Sequence, residues 1–186
     1  MQTEIDELAQ VTLAIETVLS ELQIRHFFTG GIVVSYYSEP RFTQDVDIVI
    51  RLSREELEKL VARLDKDFFV NPNYILAEYP TGKIFQVIHK DTAIKIDFHV
   101  VINTPDELKR IVYKEVYQNL LIPIPSRPDA ILSKLAWIKK GSHKSRQDVR
   151  MMFRFAGEEE KQEARERARQ KGLEELLDEV LTAEID

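Results

Sequence analysis

The sequence predicts a mixed α/β domain in which helices accumulate after about residue 125. Three observations predict it. An amphipathic helical stretch opens the chain; short β-branched and aromatic runs then alternate with helical patterns to about residue 102; capped helical segments fill most of the remainder. The expected division is a core over 1–125 and a helical C-terminal part over 126–186 packed on it, in a single compact domain.

Residues 3–22 place Ile5, Leu8, Val11, Ile15, Val18, Leu19 and Leu22 at helical spacing, which makes an amphipathic helix. Ile24 to Phe28 then reads as a short strand ending at Thr29-Gly30-Gly31. Beyond the glycines, Ile32 to Glu39 is rich in β-branched and aromatic residues, so raw propensity favours a second strand and a hairpin. Residues 44–51 form the next strand, with Val46, Ile48 and Ile50 on one face and Asp45, Asp47 and Val49 on the other.

Ser53 and Glu56 make a capping box for a helix whose stripe is Leu57, Leu60, Val61 and Leu64. Asp67 to Val70 is a short strand candidate, and Asn71 to Gly82 an irregular or briefly helical link. Residues 83–90 and 92–102 read as two strands joined through Lys90-Asp91-Thr92 in a hairpin. Thr104, Pro105 and Glu107 combine an N-cap, a first-turn proline and a capping acid, predicting a helix to about residue 118. A proline-punctuated connection follows to Asp129, then helices over about 128–140 and 144–155. The charge-dense tail from Gly157 carries Leu173, Leu176, Leu177, Val180 and Leu181 as the stripe of a terminal helix.

Composition narrows the function classes. With 44% hydrophobic and 31% charged residues the chain has an ordinary globular balance, and no apolar run approaches the length of a membrane span. The acidic start lacks the basic and apolar blocks of a signal peptide. The absence of cysteine removes disulfides and thiolate chemistry, and fits a reducing cytoplasm. A net charge of −6 argues against a mainly electrostatic nucleic-acid binder, although Lys134, Lys139, Lys140, Lys144, Arg146 and Arg150 form a local basic run.

Two carboxylates at i and i+2 on a strand share a face with Cα atoms roughly 6.5 to 7 Å apart, spacing that suits hard divalent cations such as Mg²⁺. Asp45 and Asp47 have it, inside a strand otherwise made of Val46, Ile48, Val49 and Ile50, where charge needs compensation by a metal or by a cation such as Arg41. Asp97 interrupts a second apolar strand on the face shared with Lys95 and His99. If the two strands are neighbours, three acids meet, and three acids are what a two-metal phosphoryl-transfer site requires. Gly30-Gly31 at a strand end lets backbone approach a ligand, and a helix starting there would offer free N–H groups to a phosphate. The alternative is an ordinary tight turn.

The stretch Thr29 to Ile50, TGGIVVSYYSEPRFTQDVDIVI, resembles the pattern of the polymerase-β-type nucleotidyltransferase superfamily: a Gly-Gly or Gly-Ser pair, Asp-x-Asp downstream, and a later lone Asp on a strand. Arg41, Thr43, Asp45 and Asp47 resemble the R-x-T-x-D-x-D pattern of the AbiEii/MenT-like toxin–antitoxin branch, and Ser126 to Met152 is similar to its downstream helices carrying Lys and Asp. The resemblance covers about residues 25–155 and implies a nucleotidyltransferase fold, a mixed β-sheet flanked by helices, in which the segment after Gly-Gly is helical. It implies an enzyme that uses two Mg²⁺ ions on Asp45, Asp47 and Asp97, with Asp97 as general base. It further implies NTP as substrate, bound by Gly30, Gly31, Arg41, Lys134 and Asp148, the last orienting Lys134.

The implied partners are an RNA, protein or small-molecule acceptor and a cognate toxin or antitoxin, with no membrane. Tyr36-Tyr37-Ser38-Glu39 departs from the His-Gly of many relatives, and the tail is shorter than the added domain of longer toxins. Plainer readings stand beside these. Arg41 has Asp45 or Glu39 as an ion-pair partner, Asp148 has Arg146 or Lys144, and Lys134 is a snorkelling surface lysine. His99 on a strand reads as packed, and no histidine spacing supports zinc. The rivals to the enzyme are a weakly active or inactive regulatory module of the same fold and a D-x-D glycosyltransferase acting on a nucleotide sugar.

Overall fold

The chain's structure is a computed structural model that describes residues 2–79, 84–101 and 106–183, with side chains from Glu7 onward. Its contacts divide the chain into two units, one of residues 1–32 with 42–124 and one of 33–41 with 125–186.

In the first unit the order is α1 (Gln2–Glu21), β1 (Arg25–Thr29), the start of α2 (Gly30–Tyr37), β2 (Asp45–Arg51), α3 (Arg54–Leu64), β3 (Phe68–Phe69), α4 (Pro72–Glu78), β4 (Ile84–His89), β5 (Lys95–Val100), β6 (Ile111–Tyr117) and β7 (Leu120–Pro125). Five strands form a mixed sheet in the order β1-β2-β5-β4-β3, with β2 and β5 parallel at its centre and the other pairs antiparallel. The strict alternation of β2 and β5 gives the sheet its two faces. Val46, Ile48, Ile50, Ile96, Phe98, Val100, Phe85 and Val87 are buried, while the residues between them are half-exposed or exposed. The predicted stripe of α1 is buried at Leu8, Val11, Ile15, Val18 and Leu19, and the helix packs on α3 and β2; Ile5 lies outside the described side chains. The Ser53–Glu56 capping box forms in both directions at the start of α3. The expected β4–β5 hairpin is present, closed by His89 N–H to the Ile94 carbonyl at 2.9 Å.

Phe98 is fully buried and stacks on Phe85 with ring centroids 4.7 Å apart. Phe98→Ala is expected to lower unfolding stability by about 3–5 kcal/mol, read from the shift in denaturant midpoint at constant slope.

Three sequence expectations are corrected. The predicted helix to residue 118 is a short 3₁₀ turn, Asp106–Lys109, followed by strand β6; Thr104 and Pro105 lie outside the described residues. The helix does not extend because Ile111, Val112, Tyr113, Val116 and Tyr117 are strand formers. The proline-punctuated connection is strand β7, paired with β6 in a separate two-stranded sheet. Pro123 and Pro125 are tolerated there because a two-stranded sheet leaves each strand an edge that needs no N–H donor. The tail is two helices, not one.

The second unit holds the rest of α2 with α5 (Arg127–Lys139), α6 (Lys144–Arg154), α7 (Glu158–Gln170) and α8 (Glu174–Thr182). Gly172, at φ +63°, ends α7, with Leu173 N–H reaching the Ala168 carbonyl at 2.8 Å, so the tail turns back instead of continuing. Helix α5 packs on α6 and α7, and α8 on both. Asp129, fully buried at the start of α5, accepts from the Ser126 hydroxyl and pairs with Arg167 at 2.7 Å. Among the described residues, no helix is long and apolar enough to cross a membrane.

Candidate active site

The segment after Gly30-Gly31 is helical, against its strand-like composition. Gly30 sits at φ +66°, a left-handed conformation that ends β1 without continuing it, and Ile32, Val33, Val34 and Tyr37 are buried round the helix that follows. Both glycines are fixed by what lies beside them. A Cβ on Gly30 would stand 1.9 Å from Asp47 Oδ2, and one on Gly31 would stand 2.3 Å from Thr43 Oγ1. The backbone at the strand–helix turn therefore lies directly against the first acidic pair.

Strand register sets Asp47 directly against Asp97, with Asp45 two residues back on the same face of β2. Asp47 is opposite Asp97 and Asp45 opposite Lys95 across the parallel β2–β5 pair, so Asp47 and Asp97 have Cα atoms about 4.8 Å apart on one sheet face. Burial is partial, with side-chain exposure of 22% for Asp47 and 14% for Asp97, which leaves the face open to a ligand while lowering its dielectric. Each carboxylate has a local contact. Thr43 Oγ1 donates to Asp45 Oδ1 at 3.0 Å, His99 Nε2 lies 3.3 Å from Asp47 Oδ1, and Lys95 Nζ pairs with Asp97 Oδ2 at 3.0 Å. The hydrogen bond to Asp97 raises the Lys95 pKa above the ordinary lysine value, reinforced by the charges of Asp97, Asp45 and Asp47, so the ammonium is held protonated.

The donor set fits Mg²⁺. It consists of hard carboxylate oxygens on adjacent strands, and among the described residues Asp97 Oδ1 is buried with no hydrogen-bond partner. Among the described residues no three His, Asp or Glu side chains stand gathered round one point; Thr43, His99 and Lys95 engage the three carboxylates.

The remaining site candidates cluster in the second unit. Lys134 Nζ pairs with Asp148 Oδ2 at 2.8 Å, and Arg41 Nε stands 3.5 Å from Asp148 Oδ1. Asp148 is buried, Lys134 mostly so, and Arg41 Nε has no hydrogen bond among the described residues. Arg41 thus pairs with Asp148, not with Asp45 or Glu39, and Asp148 joins Lys134 and Arg41 in preference to Arg146 or Lys144. Arg146 pairs with Glu179 at 2.9 Å. Ser35 Oγ accepts from Arg41 N–H at 3.3 Å and fixes the chain after α2.

Sequence reasoning passed over two contacts on the acidic face. His99 reads as packed, yet its ring faces Asp47; Lys95 reads only as a face neighbour, yet it pairs with Asp97. The available signal was spacing, since 95, 97 and 99 share one face of β5 with the period of two that placed the acids.

Comparison with known proteins bears on the fold and the family. Solved structures share the fold at low identity. An antigenic nucleotidyltransferase-like protein from Paracoccidioides brasiliensis matches with TM-score 0.57 and 20% identity over 97% of this chain and 94% of its own. The antibiotic-resistance factor ANT(2'')-Ia, in complex with adenylyl-2''-tobramycin, matches with TM-score 0.55 and 14% identity over 88% and 99%. The lincosamide antibiotic adenylyltransferase LnuA, lincomycin-bound, matches with TM-score 0.51 and 12% identity over 84% and 98%. No curated protein matches in sequence. The family described as "Nucleotidyl transferase AbiEii toxin, Type IV TA system" matches residues 13–185, nearly the whole chain. With its mixed sheet, its turn of glycines and its acids in register, the chain belongs to the AbiEii nucleotidyltransferase toxin family of type IV toxin–antitoxin systems.

Proposed function

We propose that this chain is a Mg²⁺-dependent nucleotidyltransferase that moves a nucleoside monophosphate from an NTP to a hydroxyl of an RNA, protein or small-molecule acceptor, in a system with a cognate antitoxin. The observation that carries the reading is the register of Asp47 against Asp97 with the Gly30 backbone against Asp47. Asp97 accepts the proton of the acceptor hydroxyl. The acceptor oxygen bonds to the α-phosphorus as the bond to the bridging oxygen breaks, and pyrophosphate leaves. Asp45, Asp47 and Asp97 would hold two Mg²⁺ ions, and bound metal supplies charge stabilisation on the attacking and leaving oxygens.

Backbone N–H groups at Gly30 and Gly31 are the proposed cradle for phosphate. Arg41 and Lys134 are the proposed phosphate cations, with Asp148 fixing their direction. Support for those three is the family resemblance together with their shared ion-pair cluster. The test incubates the protein with each labelled NTP, Mg²⁺ and total RNA, then with cell protein, beside the Asp47→Ala variant. Wild type is expected to label an acceptor and release pyrophosphate, and Asp47→Ala is expected to do neither above background. NTP binding by wild type with no transfer to any acceptor would favour a regulatory module of the same fold.

A further inference from the structure

The open sheet face carries one ammonium among its acids, and its position is specific. Lys95 lies two residues before Asp97 on β5, opposite Asp45 on β2, and opposite the exposed Ile88 on β4. The β4 side sets aliphatic Ile88 opposite the lysine and the neutral amide of Gln86 opposite Asp97, whereas the β2 side and its own strand offer carboxylates. Nζ settles on Asp97 Oδ2 at 3.0 Å, with 39% of the lysine side chain exposed against 14% of Asp97. The other oxygen, Oδ1, is buried without a hydrogen bond among the described residues. A carboxylate with one oxygen on an ammonium and the other desolvated and unpaired is poised for exchange: an entering cation gains an unpartnered ligand atom, but must take the second from the lysine.

We propose that Lys95 is a resident counter-ion that competes with divalent metal for Asp97. This inference rests on the metal-dependent reading of the site and assigns it a further part. In the metal-free protein the ammonium offsets the charge of Asp97, which would otherwise repel Asp47 across the β2–β5 pair. On metal entry the lysine swings off Asp97, and its exposed, four-carbon stem allows that without movement of β5. Lys95 is therefore a positioning residue that sets the metal concentration at which the site loads.

Mn²⁺ titration of the full chain, followed by the free-ion paramagnetic resonance signal, tests this without any turnover. Lys95→Met keeps the apolar stem and removes the charge, and is expected to bind Mn²⁺ roughly three- to fivefold more tightly, the upper part of the range for a part-exposed ion pair. Lys95→Arg keeps the competing charge and should stay within about twofold of wild type. Lys90→Met removes a charge from the β4–β5 turn and should leave binding unchanged. In an Asp97→Asn background, Lys95→Met should bring no gain, because the carboxylate for which the two cations compete is absent. Folding of each variant is checked by circular dichroism. Equal or weaker Mn²⁺ binding by Lys95→Met overturns the proposal. So does an equal gain in Lys90→Met, or a gain that persists in the Asp97→Asn background, since either makes the effect one of general field. Failure of wild type and Lys95→Met alike to bind millimolar Mn²⁺ overturns both this inference and the metal-dependent reading beneath it.

Discussion

Asp97→Asn is expected to lower the rate of nucleotidyl transfer by about 10⁴-fold while leaving the fold intact, the upper part of the range for loss of a positioned general base, because a metal ligand is lost in the same change. The amide is nearly the same size as the carboxylate and keeps an oxygen to accept from Lys95, so the sheet loses no packing. Stability should move little or rise. Asp97 faces Asp47 across the parallel pair, and removing one of two facing negative charges relieves repulsion that the partly screened Lys95 contact only partly offsets. A melting temperature within about 3 °C of wild type, beside the loss of turnover, is the expected pair of results; a 3 °C shift corresponds to ~1 kcal/mol in a chain of this size. Turnover within about tenfold of wild type would remove Asp97 from the role of base.

Gly30→Ala is expected to damage both the fold and the activity. Its Cβ would meet Asp47 Oδ2 at 1.9 Å, Cγ at 2.7 Å and Cβ at 2.9 Å, so rotating the aspartate away relieves the first two contacts and leaves the third. The φ of +66° adds a left-handed penalty of roughly 1–2 kcal/mol for any residue with a Cβ. Together these predict a loss of about 2–4 kcal/mol, or roughly 5–15 °C in melting temperature. Transfer should fall as well in the fraction that stays folded, because Asp47 is driven from its position opposite Asp97. Thermal melts and specific activity corrected for folded fraction separate the two effects. A variant that melts like wild type would show that the turn between β1 and α2 has room that its geometry denies.

The placement of the three candidate acids was legible in the sequence because it is written with period two on strands. Asp45 and Asp47 on one strand and Asp97 on another stand out as charges inside β-branched runs, and the buried face opposite them confirms the alternation on which that reading depends. Helix α2 was legible only by resemblance. Ile32, Val33, Val34, Tyr36 and Tyr37 prefer strands in isolation, and burial after a left-handed glycine overrides that preference. The region from 104 to 125 misled for the opposite reason: strong local signals, a capping pattern and prolines, stand where pairing between β6 and β7 decides the outcome. The split of the tail at Gly172 had a local signal, glycine followed by leucine after a basic turn, which a count of apolar residues alone does not weigh. Partner choice was the least legible. Nothing in local spacing tells that Asp148 takes Lys134 and Arg41 together, or that Lys95 takes Asp97.

The central strand pair also sets when the site comes into existence. Strand β2 pairs antiparallel with β1 across the connection that holds α2, and β5 is tied to β4 by a short turn, so each antiparallel pair joins strands consecutive in the chain. Asp47 meets Asp97 only when those two strand pairs dock along the parallel β2–β5 seam, closing a loop of fifty residues. Loop closure of that kind is the slow step of such a topology. A chain emerging from the ribosome therefore carries Asp45 and Asp47 as an incomplete pair until β5 has been released and docked. Whatever chemistry the three acids perform is withheld from the nascent chain by the order in which its strands can meet.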